Sequence, residues 1–158
     1  MPLVPPPALA VGAGLSQRLL AGPSPAPTPA RAAATAAISM ASIALAGAAS
    51  REFRRRGTTV KPFHPEQASV LVTRGSNTIS RNPMYVGMAG LLVAHAIWRR
   101  SWVSLVPVAA FLGIIDRVQI AAEESALLET FGPEYEAYCA TTPRWLDARS
   151  LGLRTWSG

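Results

Sequence analysis

Apolar residues occur along the chain in four long runs separated by polar segments. The runs cover about residues 3–20, 32–50, 83–98 and 102–120. About 20 consecutive apolar residues are enough for a helix to cross about 30 Å of hydrocarbon. The pattern therefore predicts an all-α, polytopic membrane protein with about four transmembrane helices, built as a single domain over residues 1–158.

The segments between the runs predict how these helices are connected. Residues 21–30 contain four prolines, which predicts a loop. Residues 51–82 are mostly polar and predict a long surface loop, whereas only residues 99–101 separate the last two runs, which predicts a tight helical hairpin. Trp98 and Trp102 flank that tip, where interfacial tryptophans are expected. From residue 121 to the end we expect an amphipathic helical tail.

Composition and charge agree with a membrane protein. The chain is 49% hydrophobic and 15% charged, whereas soluble domains carry about 25% charged residues. The net charge of +6 could attract nucleic acid, but arginines directly follow the second run, where a membrane span commonly leaves its positive charges. We therefore expect a lipid bilayer as partner and no nucleic acid. The single Cys139 excludes an internal disulfide framework, and the first run lacks the basic start of a signal peptide.

The distribution of basic residues predicts the orientation in the membrane. Residues 51–82 hold seven lysines and arginines, whereas the hairpin tip holds only Arg99 and Arg100. The positive-inside rule places the long loop and the tail in the cytoplasm. The loop, the start of the third helix and the end of the fourth then share the face that a cytosolic cosubstrate reaches. The composition, rich in Ala, Arg and Pro, suggests a bacterial inner membrane.

The segment 81–87, RNPMYVG, has the features of a helix start with an anion site. Asn82 is a favoured N-cap residue and Pro83 fits the first helical position. The free N–H groups of such a helix end, with Arg81 beside them, suit a carboxylate or phosphate. The alternative is a plain helix start with an anchoring arginine.

Two adjacent carboxylates, Glu123 and Glu124, follow the fourth run. Acids at or near membrane depth are costly and are functional candidates by default. They suit ribose hydroxyls or an ammonium group. The alternative is a solvated helix face, or an ion pair with Arg117. A pairing of Asp116 with Arg117 is awkward, because neighbours on a helix do not face each other.

The tail carries aromatic and basic residues at helical spacing. Tyr135 and Tyr138 are three positions apart and so share a helix face. Arg144 and Trp145 follow, and the alternative interpretation is an amphipathic helix at the membrane interface.

The two histidines are far apart and have no ligand-spaced partners, so no metal site is predicted. There is no glycine-rich fingerprint of a dinucleotide-binding fold.

Together these motifs resemble the isoprenylcysteine carboxyl methyltransferase and phospholipid methyltransferase group of membrane enzymes, over about residues 5–146. Order and spacing both match. The segments that carry the resemblance are 56–65 (RGTTVKPFHP), 71–75 (LVTRG), 81–87 (RNPMYVG), 116–120 (DRVQI), the pair Glu123-Glu124, and 131–145.

The resemblance implies a cofactor and a set of site residues. In that family the Arg-(His/Asn)-Pro-x-Tyr motif and the Glu-Glu pair bind S-adenosylmethionine, and the tail closes the pocket. The implied cofactor residues are Gly75, Arg81, Asn82, Pro83, Tyr85, Glu123 and Glu124. The implied substrate residues are Tyr135, Tyr138 and Trp145, and the residues assigned to catalysis are Arg117 and Arg144.

The chain departs from the family pattern at one point. The family usually has Gly-Pro-(Tyr/Phe)-(Arg/Lys) where this chain has Gly75-Ser76-Asn77-Thr78. An aromatic and a basic residue are therefore lost just before the cofactor motif, which bears on affinity or substrate choice. Lys61 also stands where Asn is common.

The resemblance implies methyl transfer to a lipophilic or small-molecule acceptor at the cytoplasmic face. The acceptor group is a carboxylate, a thiol or an amine. Two other hypotheses remain open. An NADPH-dependent sterol or enone reductase of the membrane has a similar Arg-His-Pro-x-Tyr motif, and the arginines 54–56 suit a 2′-phosphate. A non-enzymatic membrane subunit is the third hypothesis, based on the altered segment 76–78.

Overall fold

A computed structural model of the protein describes residues 5–55 and 70–151, and the regular structure of these residues is entirely helical. This confirms the all-α prediction for the described part of the chain. The helices are α1 (Pro6–Ala21), α2 (Pro29–Arg55), α3 (Pro83–Arg99), α4 (Leu105–Ile114), α5 (Ala121–Phe131) and α6 (Pro133–Thr141). A π-helical segment, Ile115–Ile120, joins α4 to α5. Short 3-10 turns lie at Gly75–Thr78, Trp102–Ser104 and Ala148–Leu151.

Among the described residues, two helical stretches are long and apolar enough to cross a membrane. They are Pro29–Arg55, with 27 residues, and Trp102–Phe131, with 30. The other two predicted spans are present as helices of 16 and 17 residues, α1 and α3. The number of four membrane crossings therefore stays a prediction.

Helix α2 is longer than predicted at both ends. It begins at Pro29, inside the segment predicted as a loop, because proline is tolerated in the first turn of a helix, where its missing N–H is not needed. The Thr28 hydroxyl accepts a hydrogen bond from the Arg31 backbone N–H at 3.3 Å, which supports the new helix end. At the other end α2 continues through the arginines to Arg55 rather than stopping at Ser50.

The fourth predicted span does not end at Ile120 as expected. The helix passes through the π-helical segment and continues as α5 to Phe131. No Gly or Pro occurs between Ile114 and Phe131, so nothing in the sequence breaks the backbone ladder. Gly132, with φ 49°, and Pro133 then separate α5 from α6.

The chain divides into two compact units, and the first comprises residues up to Ala44 together with Gly87–Gln119. In it the side chain of Gln17 on α1 is fully buried. Its Nε2 donates to the backbone oxygens of Leu92 and Ser104, both at 2.9 Å, and its Oε1 lies 2.7 Å from His95 Nδ1. One buried amide therefore ties α1 to α3 and to the start of the α4 segment.

Helices α2 and α3 approach closely within this first unit. A Cβ added at Gly90 would overlap the Ser42 hydroxyl and lie 3.2 Å from Ser42 Cβ. Small residues at such crossings let backbones come together, as in many membrane helix pairs. Ser42 of the second apolar run is thus used in helix packing.

The second unit comprises Leu45–Val86 and the chain from Ile120 onward. Its apolar core is formed by Leu71, Tyr135 and Tyr138, against which three partly buried residues pack. These are Leu127, Phe131 and Cys139. The core therefore holds α5, α6 and the segment before α3 together.

Candidate functional site

A single carboxylate, that of Glu124, is shared by two arginines in the second unit. Arg81 Nη2 donates to Glu124 Oε1 at 2.7 Å. Arg144 Nε donates to Oε1 at 3.1 Å, and its Nη2 donates to Oε2. The side chains of Arg81 and Glu124 are only 12% and 18% exposed. Such shielding makes the Arg81–Glu124 hydrogen bond stronger than that of an exposed pair, whereas the Arg144 side chain is 37% exposed.

The neighbouring carboxylate, Glu123, is bound from helix α3. The Tyr85 hydroxyl donates to Glu123 Oε1 at 2.6 Å, and Tyr85 is buried. Two arginines and two glutamates give the cluster no net formal charge. It therefore offers both cationic donors and anionic acceptors within one site, which suits a zwitterionic ligand.

Backbone hydrogen bonds clamp the segment before α3 to the segment after α6. The Arg81 N–H donates to Pro143 O at 2.8 Å. Ser80 Oγ and Asn82 Nδ2 both donate to Arg144 O, at 2.9 and 3.0 Å. Ser80 Oγ also accepts from the Asn82 N–H at 3.0 Å. These bonds hold Arg81 and Arg144 on the same side of Glu124.

The sequence prediction for the start of α3 is confirmed in position. The helix begins at Pro83, and the Asn82 carbonyl accepts from the Val86 N–H at 3.0 Å, as expected. In addition, Asn82 Nδ2 donates to Arg144 O, so this side chain also joins the helix start to the tail. The local motif could not reveal a partner 62 positions away.

The two tail tyrosines lie beneath this cluster rather than in solvent. Both are buried, with their rings 6.3 Å apart in an edge-to-face arrangement. Burial, and next the Glu124 carboxylate, raise the pKa of Tyr135 well above its usual range. Burial also raises the pKa of Tyr138, although the Arg81 guanidinium opposes that shift. Both phenols therefore stay neutral and act as hydrogen-bonding groups.

The other site residues implied by the family resemblance lie in different parts of the structure. Gly75 lies in the 3-10 turn with φ 66°, and a Cβ there would be 3.9 Å from Glu52 Oε2. Trp145 is half-buried next to Arg144. Arg117 belongs to the other unit, where its side chain is 86% exposed and lies 3.9 Å from Asp116. The segment 56–65, which carries part of the resemblance, falls outside the described residues.

Three buried residues of this unit were not singled out by the sequence as site residues. Ser80 is fully buried and bridges the two clamped segments. Ser76 and Asn77 are buried in the 3-10 turn, and Tyr138 Oη donates to the Asn77 backbone oxygen at 2.7 Å. The only sequence signal for Ser76 and Asn77 was the departure from the family pattern at 76–78, which gave no indication of burial, and Ser80 had no such signal.

Comparisons with known proteins identify the family of this chain. The family model described as phospholipid methyltransferase matches residues 30–134. A protein of Haemophilus influenzae described as uncharacterized is 35% identical over 63 residues, which are 40% of this chain and the whole of that protein. No solved structure matches. The family match covers most of the chain and includes Arg81, Tyr85, Glu123 and Glu124, so this chain belongs to the phospholipid methyltransferase family.

Proposed function

We propose that this protein transfers a methyl group from S-adenosylmethionine to a lipophilic or small-molecule acceptor at the cytoplasmic face of a membrane. Membership of the family implies a membrane methyltransferase, and this family generally uses S-adenosylmethionine. The observation that carries the proposal for this chain is the convergence of Arg81, Tyr85, Glu123, Glu124 and Arg144 in one shielded network.

The polar groups in this unit fit the proposed cofactor. Its amino-acid end is a zwitterion, so its carboxylate suits Arg81 or Arg144 and its ammonium group suits Glu123 or Glu124. Within the described residues, Arg81 Nε is buried and has no hydrogen-bond partner. Buried polar groups are rarely left unpaired, so an unpaired guanidinium N–H beside the network supports a ligand there.

The protein's contribution to the reaction is alignment and exclusion of water. The sulfonium of the cofactor supplies a methyl group that is already activated. In model reactions, holding the reactants in alignment lowers the activation barrier by about 7–11 kcal/mol, so positioning supplies much of the rate enhancement. The clamp from Arg144 to the α3 start fixes the cofactor residues, and we assign Arg144 to catalysis and Tyr135, Tyr138 and Trp145 to acceptor contact.

The chemistry of the site favours an acceptor that needs no strong base. A carboxylate or a thiolate attacks without losing a proton, whereas an amine or thiol must first be deprotonated. Both carboxylates of the site are already hydrogen-bonded by Tyr85, Arg81 or Arg144. A lipophilic acceptor would reach this membrane protein from the bilayer.

The test is calorimetric titration of the detergent-purified protein with S-adenosylhomocysteine. We expect binding, and we expect Glu124→Gln to weaken it about tenfold or more, because two guanidinium groups lose their shared anion. Glu129→Gln is the matched control, since Glu129 is an exposed residue of the same helix. It should bind with the affinity of the unchanged protein.

Parallel titration with NADPH tests the rival enzyme class. Binding of NADPH alone would indicate that the protein is an NADPH-dependent reductase. Binding of neither ligand by protein that keeps its helical circular-dichroism spectrum would contradict the proposed function. Equal weakening by Glu124→Gln and Glu129→Gln would contradict the assignment of the network.

A further inference from the structure

The 3-10 turn Gly75–Thr78 holds an amide with no hydrogen-bond partner. Asn77 is 1% exposed, and both Oδ1 and Nδ2 are buried without a partner among the described residues. The buried Ser76 hydroxyl also has no hydrogen-bond partner among these residues. Leaving three such polar atoms unpaired costs stability, so a native structure keeps them only where something else completes their hydrogen bonds.

Hydrogen bonds hold the backbone of this turn, so its unpaired polar groups are the side chains of Ser76 and Asn77. Tyr138 Oη donates to the Asn77 backbone oxygen at 2.7 Å. The Thr78 hydroxyl donates to Gly75 O at 2.8 Å, and the Ile79 N–H donates to Ser76 O at 3.1 Å. The unpaired Asn77 amide is therefore not explained by a loosely placed loop.

The turn also lies close to the charged network of the same unit. It directly precedes Ser80 and Arg81, and Ser80 is bound to Arg144 O. The Tyr138 hydroxyl is hydrogen-bonded to Asn77 O and also lies within the electrostatic reach of Arg81. The turn is therefore joined to the network through Ser80 and to α6 through the Tyr138 hydroxyl.

The chemistry of the free groups differs from that of the network. The arginines and glutamates suit the charged end of a ligand, whereas a primary amide is neutral and offers one donor and one acceptor in a plane. The edge of adenine offers the complementary pair, with an amino donor at N6 beside a ring-nitrogen acceptor. Asparagine reads adenine by this bidentate pairing in DNA complexes.

We propose that the Asn77 amide, assisted by the Ser76 hydroxyl, hydrogen-bonds the adenine edge of the cofactor. This turn then selects an adenine nucleoside, with Oδ1 accepting from the 6-amino group and Nδ2 donating to the adjacent ring nitrogen. The inference rests on the proposed function. It gives a role to the point at which the chain departs from the family pattern.

The test compares two ligands on three proteins by calorimetric titration. The ligands are S-adenosylhomocysteine and its 6-deamino analogue, in which hydrogen replaces the 6-amino group. The unchanged protein should prefer S-adenosylhomocysteine by about tenfold. Asn77→Ala should bind the two ligands equally, because the acceptor for the amino group is gone. Asn77→Asp keeps an acceptor oxygen, so it should bind both more weakly but retain the preference.

Controls separate a contact with the base from a general disturbance of the turn. Ile79→Val changes an exposed side chain directly after the turn and keeps the backbone N–H that donates to Ser76 O, so it should keep the tenfold preference. Circular dichroism checks the helical fold of each variant. If Asn77→Ala kept the preference for S-adenosylhomocysteine, the inference would be overturned, and an internal water would be the partner of the Asn77 amide. No binding of either ligand to the unchanged protein would instead overturn the proposed function.

Discussion

Glu124 is the residue on which the most interactions of the site depend. Its two oxygens accept from Arg81 and from Arg144, which come from different parts of the chain. Removing the carboxylate would leave the shielded Arg81 guanidinium without its anion and next to a second cation, which is more costly than losing one exposed ion pair. The neighbouring Glu123 has a separate task, because it is held by Tyr85.

Tyr138 gives a prediction about alkaline stability. Burial raises the pKa of its phenol in the folded state above the unfolded value of about 10. The folded state therefore favours the neutral phenol, so its contribution to stability is complete below about pH 10 and is lost as the pH rises towards the folded pKa. The melting temperature in detergent should fall above about pH 10, and less steeply for Tyr138→Phe.

The same variant also has a predicted effect at neutral pH. Tyr138→Phe removes the hydrogen bond to Asn77 O, which should cost about 1 kcal/mol of unfolding free energy. Tyr135 keeps its own raised pKa in the variant, so part of the alkaline loss remains. Parallel curves for the two proteins from pH 9 to 11 would contradict this interpretation of Tyr138.

The sequence revealed the charged residues of the site but not the residues that hold them. Arg81, Tyr85, Glu123 and Glu124 belong to recognisable motifs. Ser80 and the Asn77 backbone carbonyl have partners about 60 positions away, Arg144 O and Tyr138 Oη. A serine or asparagine in a polar segment gives no local signal of such a partner.

Among the elements, the close pair α2 and α3 gives a test of helix packing. Gly90→Ala would place a methyl group against the Ser42 side chain. Overpacking of this kind costs about 1–3 kcal/mol, so the melting temperature in detergent should fall. The matched control is Gly113→Ala on α4, where a Cβ would meet nothing within 4 Å.

The control substitution should leave stability unchanged or raise it slightly. Alanine favours a helix over glycine by up to about 1 kcal/mol. If Gly90→Ala and Gly113→Ala melted at the same temperature, the close approach of α2 and α3 would not be present in the folded protein. The double variant Ser42→Ala with Gly90→Ala should recover part of the lost stability, because it removes the overlapping hydroxyl.

Helix boundaries were predictable only where the sequence contains a punctuating residue. The start of α3 followed from Asn82 and Pro83, and the break after α5 coincides with Gly132 and Pro133. The expected end at Ile120 rested only on a change from apolar to mixed residues. Polarity changes the surroundings of a helix without breaking its backbone hydrogen bonds, so the helix continues through the π-helical segment.

At the scale of the whole molecule, the main open prediction is the topology. Family membership and two long apolar helices support a membrane protein. The proposed four spans put the hairpin tip on the side opposite to the tail. The positive-inside rule, applied to the basic residues at 51–82, predicts this orientation.

Cysteine labelling in vesicles tests this orientation. In a Cys139→Ser background, Arg100→Cys probes the hairpin tip and Glu136→Cys probes α6, and both positions are exposed. A membrane-impermeant maleimide should label Arg100→Cys only in right-side-out vesicles and Glu136→Cys only in inside-out vesicles. Labelling of both from the same side would contradict an odd number of crossings between the two positions and the proposed topology with it.

The clamp at Arg144 also determines when during synthesis the site can form. The Arg144 carbonyl and guanidinium complete bonds to Ser80, Asn82 and Glu124, all of which are made earlier on the ribosome. A nascent chain that stops before Pro143 already contains all the predicted membrane helices but lacks these bonds. The complete network can therefore assemble only after Arg144 has left the ribosome, when all four predicted membrane helices have already been made.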